Sequence, residues 1–346
     1  MQDGLELADF RSRDTFRSVT QVVTTLGLFA LGWWAMWASL SVGYWLALVW
    51  AVPTAGMLLR MFVLQHDCGH GALFRDQRAN HAVGVALSTL TLTPYHCWRR
   101  QHALHHATNG QLDHRGFGDV TTLTLDEYAE LSFGRRLFYH VYRHPLVLMV
   151  IGPVFYFALF QRLPWAVPAA WHRERRSIHL TNALVLLSLV AAAAVFGPMT
   201  VAKLHLPVVA IASSVGAWLF FVQHQFLPTY WERDTTWEHA RAAVEGSSFL
   251  DLPWLLNWMT ASIGYHHIHH LDSRIPNYAL AACHAAHPAL RSAQRLTLME
   301  GLRCTRLKLW DESTQEMITF REAWRRLQGR AEGGPEPAAV SSQAVS

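Results

Sequence analysis

Two long stretches without charged residues dominate the pattern of apolar and polar positions along the chain. No Asp, Glu, Lys or Arg occurs from Ser18 to Leu59, whereas a helix that crosses a bilayer needs roughly 20 apolar residues. This stretch therefore predicts two spanning helices, over about residues 20–40 and 43–63, with a tight turn at Ser39–Gly43. A single buried helix of a soluble protein would not need so long an uncharged run.

A second pair of spans is predicted further along the chain. Residues 177–202 are uncharged, and after Lys203 the chain is again uncharged from Leu204 to Trp231. We expect spans over about 180–202 and 206–226, joined by a turn from Gly197 to Pro207. Two weaker apolar segments, His81–Tyr95 and Pro145–Phe160, are too short for a comfortable crossing and predict interfacial or partly embedded helices.

Composition and charge support a membrane protein. Hydrophobic residues make up 51% of the chain and charged residues only 16%, against about 25% charged in ordinary soluble domains. The predicted fold class is an all-α integral membrane protein, a four-span helical bundle with interfacial helices. The net charge of +4 and the lack of a recognisable module give no reason to expect a nucleic-acid partner. The four scattered cysteines predict reduced thiols.

The placement of basic residues predicts the orientation. Thirteen arginines and no lysine lie between Arg60 and Arg176, whereas the two predicted turns carry only Lys203. The positive-inside rule then places this middle segment in the cytoplasm, with the N-terminal segment 1–19 and the C-terminal tail 311–346. The Gly/Pro/Ala/Ser-rich tail predicts disorder from about residue 329, and the polar start of the chain does not resemble a cleavable signal peptide.

Histidine is the unusual component, with 21 copies. Residues three and four apart share a helical face, so three clusters each converge, and a further histidine, at the end of the last predicted span, lies at the same membrane face. The candidate ligands are His66 and His70; His102, His105 and His106; His266, His269 and His270; and His224. His267 points away in the third cluster and is expected to be a bystander. Solvated surface patches would not account for three clusters with this spacing.

This set predicts two metal ions, because a catalytic zinc site uses three protein ligands and nine imidazoles would serve two ions with four or five each. Imidazole suits Zn, Cu, Fe and Ni alike. A membrane location favours a lipid or hydrocarbon substrate, and oxidising an unactivated C–H bond needs a redox metal with O2. We therefore expect two iron ions, with copper as the alternative. The second nitrogen of a metal-bound imidazole usually contacts a carboxylate or carbonyl; the candidates, which could equally be solvated acids or helix caps, are Asp67, Asp113, Asp119 and Asp272.

Read together, the clusters resemble the histidine boxes of the membrane fatty acid desaturase family. The pattern H-x3/4-H, H-x2/3-H-H and (H/Q)-x2/3-H-H matches His66…His70, His102…His106 and His266…His270. Flanking stretches similar to the bacterial acyl-lipid branch are Trp98–His102, Gly118–Val120, Phe221–Phe226, Thr229–Arg233, Ile263–His266 and Arg274–Tyr278. The resemblance covers about residues 20–310 and departs from the pattern at Leu227-Pro228, where relatives tend to carry an acidic residue.

The resemblance implies a cytosolic cap that holds two irons above a four-span bundle. It implies O2 as co-substrate, electrons delivered singly by a separate ferredoxin- or cytochrome b5-like donor, and removal of two hydrogens from a long fatty-acyl chain on a membrane lipid. The expected location is a bacterial inner membrane, with the active site on the cytoplasmic side. The same site could instead support hydroxylation, epoxidation or ketolation.

The alternative from another class is a non-enzyme, such as a metal transporter or a metal-binding membrane protein. Transport is disfavoured, because the centres of the predicted spans lack His, Asp and Glu. Two basic runs remain open to two interpretations. Anchoring to anionic headgroups and docking of an acidic electron donor would each use Arg99, Arg100, Arg173, Arg175 and Arg176.

Overall fold

The computed structural model describes residues 6–116 and 119–331 of the chain. The helices in this part of the chain are α1 (Thr15–Ser39), α2 (Tyr44–His70), α3 (Gln77–Leu90), α4 (Tyr95–Thr108), α5 (Leu125–Glu130), α6 (Phe133–Tyr142), α7 (Gly152–Ala158), α8 (His172–Phe196), α9 (Pro198–His224), α10 (His239–Glu245), α11 (Trp254–Met259), α12 (His266–Leu271), α13 (Asn277–Ala286), α14 (Leu298–Cys304) and α15 (Phe320–Ala331). The strands are β1 (Leu123–Thr124), β2 (Phe249–Asp251), β3 (Arg295–Thr297), β4 (Leu309–Asp311) and β5 (Glu316–Ile318).

Four of these helices are long and apolar enough to cross a membrane: α1, α2, α8 and α9. They form two hairpins, α1–α2 and α8–α9, joined mainly by packing of α2 on α9. Helix α2 is the central one. Of its most apolar 18-residue stretch, 56% is buried inside the protein, compared with 11% for α8. Its inward face carries small side chains such as Ala47, Ala51 and Ala55. The outward faces expose large apolar residues such as Trp34 and Leu187, as suits contact with lipid tails. The four-span membrane bundle predicted from the apolar pattern is therefore confirmed.

The second hairpin turn is much tighter than the sequence suggested. We expected a turn from Gly197 to Pro207, but α8 ends at Phe196 and α9 begins at Pro198. Gly197 alone makes the turn, with φ +81°, and Pro198 fits the first helical position because its missing N–H needs no partner there. Lys203 lies inside α9, exposed near its start, where a long side chain can reach the membrane surface. The helices that contain the third and fourth predicted spans therefore begin before residues 180 and 206, and the first of them ends before residue 202.

The two hairpin turns lie at the same end of the bundle. The Tyr44 hydroxyl at the start of α2 donates to the Lys203 carbonyl near the start of α9, at 3.0 Å. The rings of Trp37 and Phe196, at the ends of α1 and α8, are 5.9 Å apart. The opposite ends of α2 and α9, at His70 and His224, therefore point toward the rest of the chain.

The shorter apolar segments pack beside the bundle. Helix α3 has 14 residues, which gives about 21 Å at 1.5 Å per residue and is too short to cross the hydrocarbon core. Helix α6 and the segment Val147–Arg162, which contains α7, are together apolar enough for a crossing but meet at 60°. Such a bend is typical of a broken or re-entrant segment.

A cap covers the His70 and His224 end of the bundle and contains two small sheets besides its helices. Strand β1 pairs in parallel with β4, and β4 pairs antiparallel with β5, whereas β2 and β3 form a separate parallel pair. The boundary expected after residue 310 falls inside β4. Trp310, Met317 and Ile318 are buried, and Arg326 on α15 binds Asp311 at 2.5 Å.

The segment 311–331 therefore belongs to the folded cap, because its apolar side chains complete a core that the preceding strands leave open. Gly329 is helical rather than disordered. The remainder of the tail predicted to be disordered lies outside the described residues, as does Gly118.

Candidate metal centre

Four helices bring the nine predicted histidines together at the boundary between bundle and cap. Helices α2 and α9 end at this boundary and carry His66, His70 and His224. Helix α4 carries His102, His105 and His106, and the short helix α12 carries His266, His269 and His270. Left-handed Gly71, with φ +67°, ends α2 directly after His70, a conformation that favours glycine.

The nine imidazoles fall into two groups, each with its ligand nitrogens within 4.8 Å of one another. The first histidine group comprises His66, His70, His102, His106 and His269. The second histidine group comprises His105, His224, His266 and His270, all buried. Each group could hold a metal ion. The groups are adjacent, since the rings of His106 and His270 stack with centroids 4.1 Å apart.

Helical spacing permits this division, although the spacing within the boxes does not by itself show which histidine joins which group. On α4, the i and i+4 residues His102 and His106 join the first group, whereas the i+3 residue His105 joins the second. On α12 the assignment is reversed: His266 and His270 join the second group and His269 the first. Residues at i+3 and i+4 lie on either side of the helical repeat of 3.6 residues, so each helix can serve two adjacent centres.

Hydrogen bonds within the second group leave ring nitrogens that fit a cation. His105 Nδ1 lies 2.5 Å from Asp119 Oδ1, and His224 Nδ1 lies 3.1 Å from the Gly246 carbonyl oxygen. Both partners are acceptors, so both Nδ1 atoms carry the proton. The two Nε2 atoms are then lone pairs facing each other at 3.2 Å. Two acceptors cannot share a hydrogen bond, whereas a cation between them would satisfy both.

The first group repeats this arrangement. His66 Nδ1 lies 3.2 Å from Asp67 Oδ1, which leaves His66 Nε2 as an acceptor. That atom and His70 Nε2 are buried without a hydrogen-bond partner among the described residues. Buried polar atoms are rarely left unpaired, so their donor chemistry fits a bound metal.

Burial keeps the imidazoles outside the spans neutral, the form that ligates metal. It lowers their pKa well below the ordinary histidine value, and the neighbouring imidazoles lower the pKa further because a second positive charge nearby is unfavourable. This holds for His102, His106, His266, His269 and His270.

Two of the four predicted carboxylate partners contact the boxes. Besides His66, Asp67 accepts two hydrogen bonds from Asn277, from its backbone N–H at 2.9 Å and its side-chain amide at 2.8 Å. Asp119 contacts His105 as described above. The other two candidates pair with arginines instead, in line with the alternative that they are not partners of a histidine. Asp113 binds Arg233, and Asp272 binds Arg11 and Arg274, because each faces a surface arginine rather than the ring nearest in sequence.

Three contributors to the site were not expected from the sequence. The Gly246 carbonyl contacts His224 and Asn277 contacts Asp67. Both come from segments distant along the chain, so helical spacing does not indicate these contacts, although Asn277 lies in the flanking stretch Arg274–Tyr278. Trp98 stacks on His102 with ring centroids 4.6 Å apart. It precedes His102 by four residues on α4, and this spacing could have revealed it.

His267 belongs to neither group. It is fully buried, and its Nε2 lies 3.2 Å from His284 Nδ1. The expectation that it is not a ligand stays a prediction, but the ring is part of the cap's core.

A cavity of about 470 Å³ opens beside the first group. His70 and His102 form part of its wall. The remaining lining residues are Gly69, His96, Trp98, Arg99, Arg100, Ala103, Arg173 and Glu174. The first group is thus approached from this side, whereas the second group is enclosed.

Comparison with known proteins agrees with this architecture. Residues 44–301 match the family model described as fatty acid desaturase. A protein named fatty acid desaturase from Bacillus subtilis (strain 168) is 39% identical, over 91% of this chain and 89% of its own length. The sn-2 acyl-lipid omega-3 desaturase (ferredoxin) of Arabidopsis thaliana chloroplasts is 31% identical, over 74% of this chain and 56% of its own.

A third relative names a different electron donor. The acyl-lipid omega-3 desaturase (cytochrome b5) of the Arabidopsis thaliana endoplasmic reticulum is 30% identical, over 71% of this chain and 62% of its own length. The matched regions contain all three boxes and the spans that hold them. This chain therefore belongs to the fatty acid desaturase family, the membrane oxidoreductases that act on fatty acids with O2.

Proposed function

We propose that the nine histidines bind two iron ions, one in each histidine group, and that the enzyme uses O2 to introduce a double bond into a long fatty-acyl chain carried by a membrane lipid. The observation that carries this proposal is the division of nine imidazoles into adjacent groups of five and four. Imidazole-only sets of this size are compatible with iron, copper, nickel or zinc, and O2-dependent oxidation restricts the choice to a redox metal.

Bound iron would supply the activation of O2 and the single-electron steps through which two hydrogens leave the saturated chain. Overall, one O2, two electrons and two protons would yield one double bond and two molecules of water. Asp119 and the Gly246 carbonyl hold protons on Nδ1 of His105 and His224, which keeps both Nε2 atoms available. Asp67 does the same for His66. The burial of the second group excludes water from that half of the centre.

The relatives and the membrane setting support a proposal for the substrate and the electron donor. Two of the relatives are named acyl-lipid desaturases, one with ferredoxin and one with cytochrome b5. We infer an acyl lipid as substrate and a separate one-electron donor of one of these two kinds. We also propose that the site lies on the cytoplasmic side of a bacterial inner membrane; the arginine-rich middle segment supports the cytoplasmic orientation through the positive-inside rule.

The test is metal analysis combined with product analysis. Protein purified from iron-replete cells should contain about two iron ions per chain, as two imidazole groups of this size require, with zinc only as a contaminant. Expression in a host that lacks polyunsaturated lipids should produce new double bonds, detected by mass spectrometry of total fatty acids. Stoichiometric copper without iron-dependent activity would refute the metal assignment, and hydroxylated products would refute the reaction.

A further inference from the structure

The walls of the cavity beside the first histidine group carry positive side chains that are not needed to bind metal ions. Three arginines line it, Arg99, Arg100 and Arg173, against the single carboxylate of Glu174. Arg100 binds Glu174 at 3.3 Å and lies over the Trp171 ring, with its Cζ 4.1 Å from the ring centroid. The charges of Arg99 and Arg173 therefore remain without a counter-charge in the cavity wall.

Arg99 and Arg173 line the cavity and have N–H donors that the described residues do not use. Arg99 uses only its Nε within the fold, donating to the Gly69 carbonyl at 2.7 Å. No described residue forms a hydrogen bond or ion pair with the Arg173 side chain. Two guanidinium groups without a counter-charge in one cavity indicate a site for an anion that accepts several hydrogen bonds.

The position of the cavity favours a lipid as the source of that anion. Arg173 lies in the first turn of α8, immediately before the uncharged run that begins at Ser177, which is the headgroup level of a spanning helix. The inner wall of the cavity contains His70 and His102, so a group bound there lies next to the metal centre. A recess of about 470 Å³ admits a phosphate and its glycerol, whereas an acidic electron donor would need an open surface.

We propose that this cavity binds the phosphate of a phospholipid in the adjacent leaflet, with Arg173 and Arg99 as its main ligands. This deepens the proposed function and rests on it, because it makes an anionic phospholipid the substrate that presents its acyl chain to the first histidine group. Guanidinium groups match phosphate geometry with paired hydrogen bonds.

The test is phospholipid retention by the purified full-length protein in detergent, measured by native mass spectrometry. The probes are dioleoylphosphatidylglycerol and, as a neutral comparison, dioleoylglycerol. Arg173→Gln should weaken retention of the phospholipid about tenfold, the effect of losing one charge-assisted hydrogen bond, and leave the neutral lipid unaffected. Arg176→Gln is the matched control, because it removes the same charge from the same helix end but does not line the cavity.

Several outcomes would overturn the proposal. One is equal retention by Arg173→Gln and wild type, and another is an equal loss in Arg176→Gln, which would indicate general attraction to the headgroup region. Displacement of the lipid by millimolar inorganic phosphate would identify a site for free phosphate. If Arg173→Gln slowed reduction by ferredoxin and left phospholipid retention unchanged, the arginines would serve the donor.

Retention is measured without turnover, so its result does not depend on desaturase activity. Absence of double-bond formation with normal phospholipid retention would count against the proposed function alone.

Discussion

At the residue scale, the site depends on which nitrogen of each imidazole forms a hydrogen bond with the protein. Acceptors hold the Nδ1 protons of His66, His105 and His224. Their Nε2 lone pairs therefore face the interior of the two histidine groups, that of His66 in the first group and those of His105 and His224 in the second. The arrangement is favourable only with cations present, and it predicts that metal ions stabilise this boundary between bundle and cap.

The ligand assignment predicts a sharp difference between neighbouring histidines of α12. His266→Ala should remove a ligand of the second histidine group, lower the iron content and abolish double-bond formation, because the remaining imidazoles leave that ion under-coordinated. Iron is measured by mass spectrometry and product by fatty-acid profiling. The other eight predicted ligands should behave similarly.

His267→Gln is the matched control for this experiment. Replacement by Ala would leave a cavity in the core of the cap, whereas Gln retains a polar group that can reach His284. This variant should keep its iron and its activity. Loss of iron in His267→Gln with unchanged thermal stability would contradict the assignment, as would a fully active His266→Ala.

The carboxylate of Asp119, which contacts His105, should modulate metal affinity and activity without being essential for either. Asp119→Asn retains the side-chain shape but replaces an ionised acceptor with a neutral amide, which weakens control of the His105 tautomer. Loss of such a supporting contact typically costs about 10–100-fold in metal affinity or activity. We expect activity to fall in that range, measured as double bonds formed per mole of protein.

Asp113→Asn is the control for Asp119→Asn. Asp113 also follows the second box in sequence but binds Arg233 at the surface of the cap. Its replacement should leave iron content and activity within about twofold of wild type, since exposed ion pairs contribute little. Equal losses in the two variants would show that the contact to His105 has no special role.

At the element scale, one buried arginine joins the cap to the end of α9. Arg143 follows α6 and donates to the carbonyl of Thr121, the hydroxyl of Thr122, the side chain of Gln225 and the carbonyl of Leu307. Gln225 directly follows His224. This arginine therefore connects four segments and holds the last residue of the fourth span against the cap.

Arg143→Met should destabilise the cap. It would leave several buried acceptors unpaired, each costing about 1–3 kcal/mol, so we expect a loss of at least about 3 kcal/mol and a lower Tm in detergent. Release of iron at a lower temperature than in wild type should accompany it. Arg135→Met, at an exposed position of α6, should leave both temperatures unchanged. A stable Arg143→Met protein would show that the sheets hold the cap without it.

At the scale of the whole molecule, the two hairpin turns and the metal centre lie at opposite ends of the bundle. If the centre faces the cytoplasm, the loop containing Ser41 faces the other side. Ser41 and Ser132 are exposed, whereas the four native cysteines are buried, so single cysteines introduced there can be labelled against a low background.

The expected labelling follows from this orientation. In intact cells, a maleimide reagent that cannot cross the inner membrane should label Ser41→Cys and leave Ser132→Cys unlabelled. Ser132→Cys should react once the membrane is permeabilised. The reverse pattern would place the metal centre on the outer side and contradict the positive-inside assignment.

Local pattern alone determined much of this protein. An uncharged run in a bilayer has to form helices because lipid offers no partner to backbone N–H and C=O groups, so the spans could be predicted from the sequence. Helical spacing likewise predicted that the histidines of each cluster converge at one end of the bundle, and the prediction that His267 is not a ligand rests on the same reasoning. The turn at Gly197 was misjudged because Lys203 and Pro207 usually interrupt spans, yet both are tolerated close to the start of α9.

Only the tertiary structure decided how those faces are used. The division between His105 and His106, and between His269 and His270, depends on where α2 and α9 end relative to α4 and α12. The Gly246 carbonyl, Asn277 and the cavity lined by Arg99 and Arg173 bring together residues far apart in the chain. Such contacts depend on how helices, strands and loops pack together. The sequence determines that packing only through the free energy of the whole fold, and no local pattern specifies it.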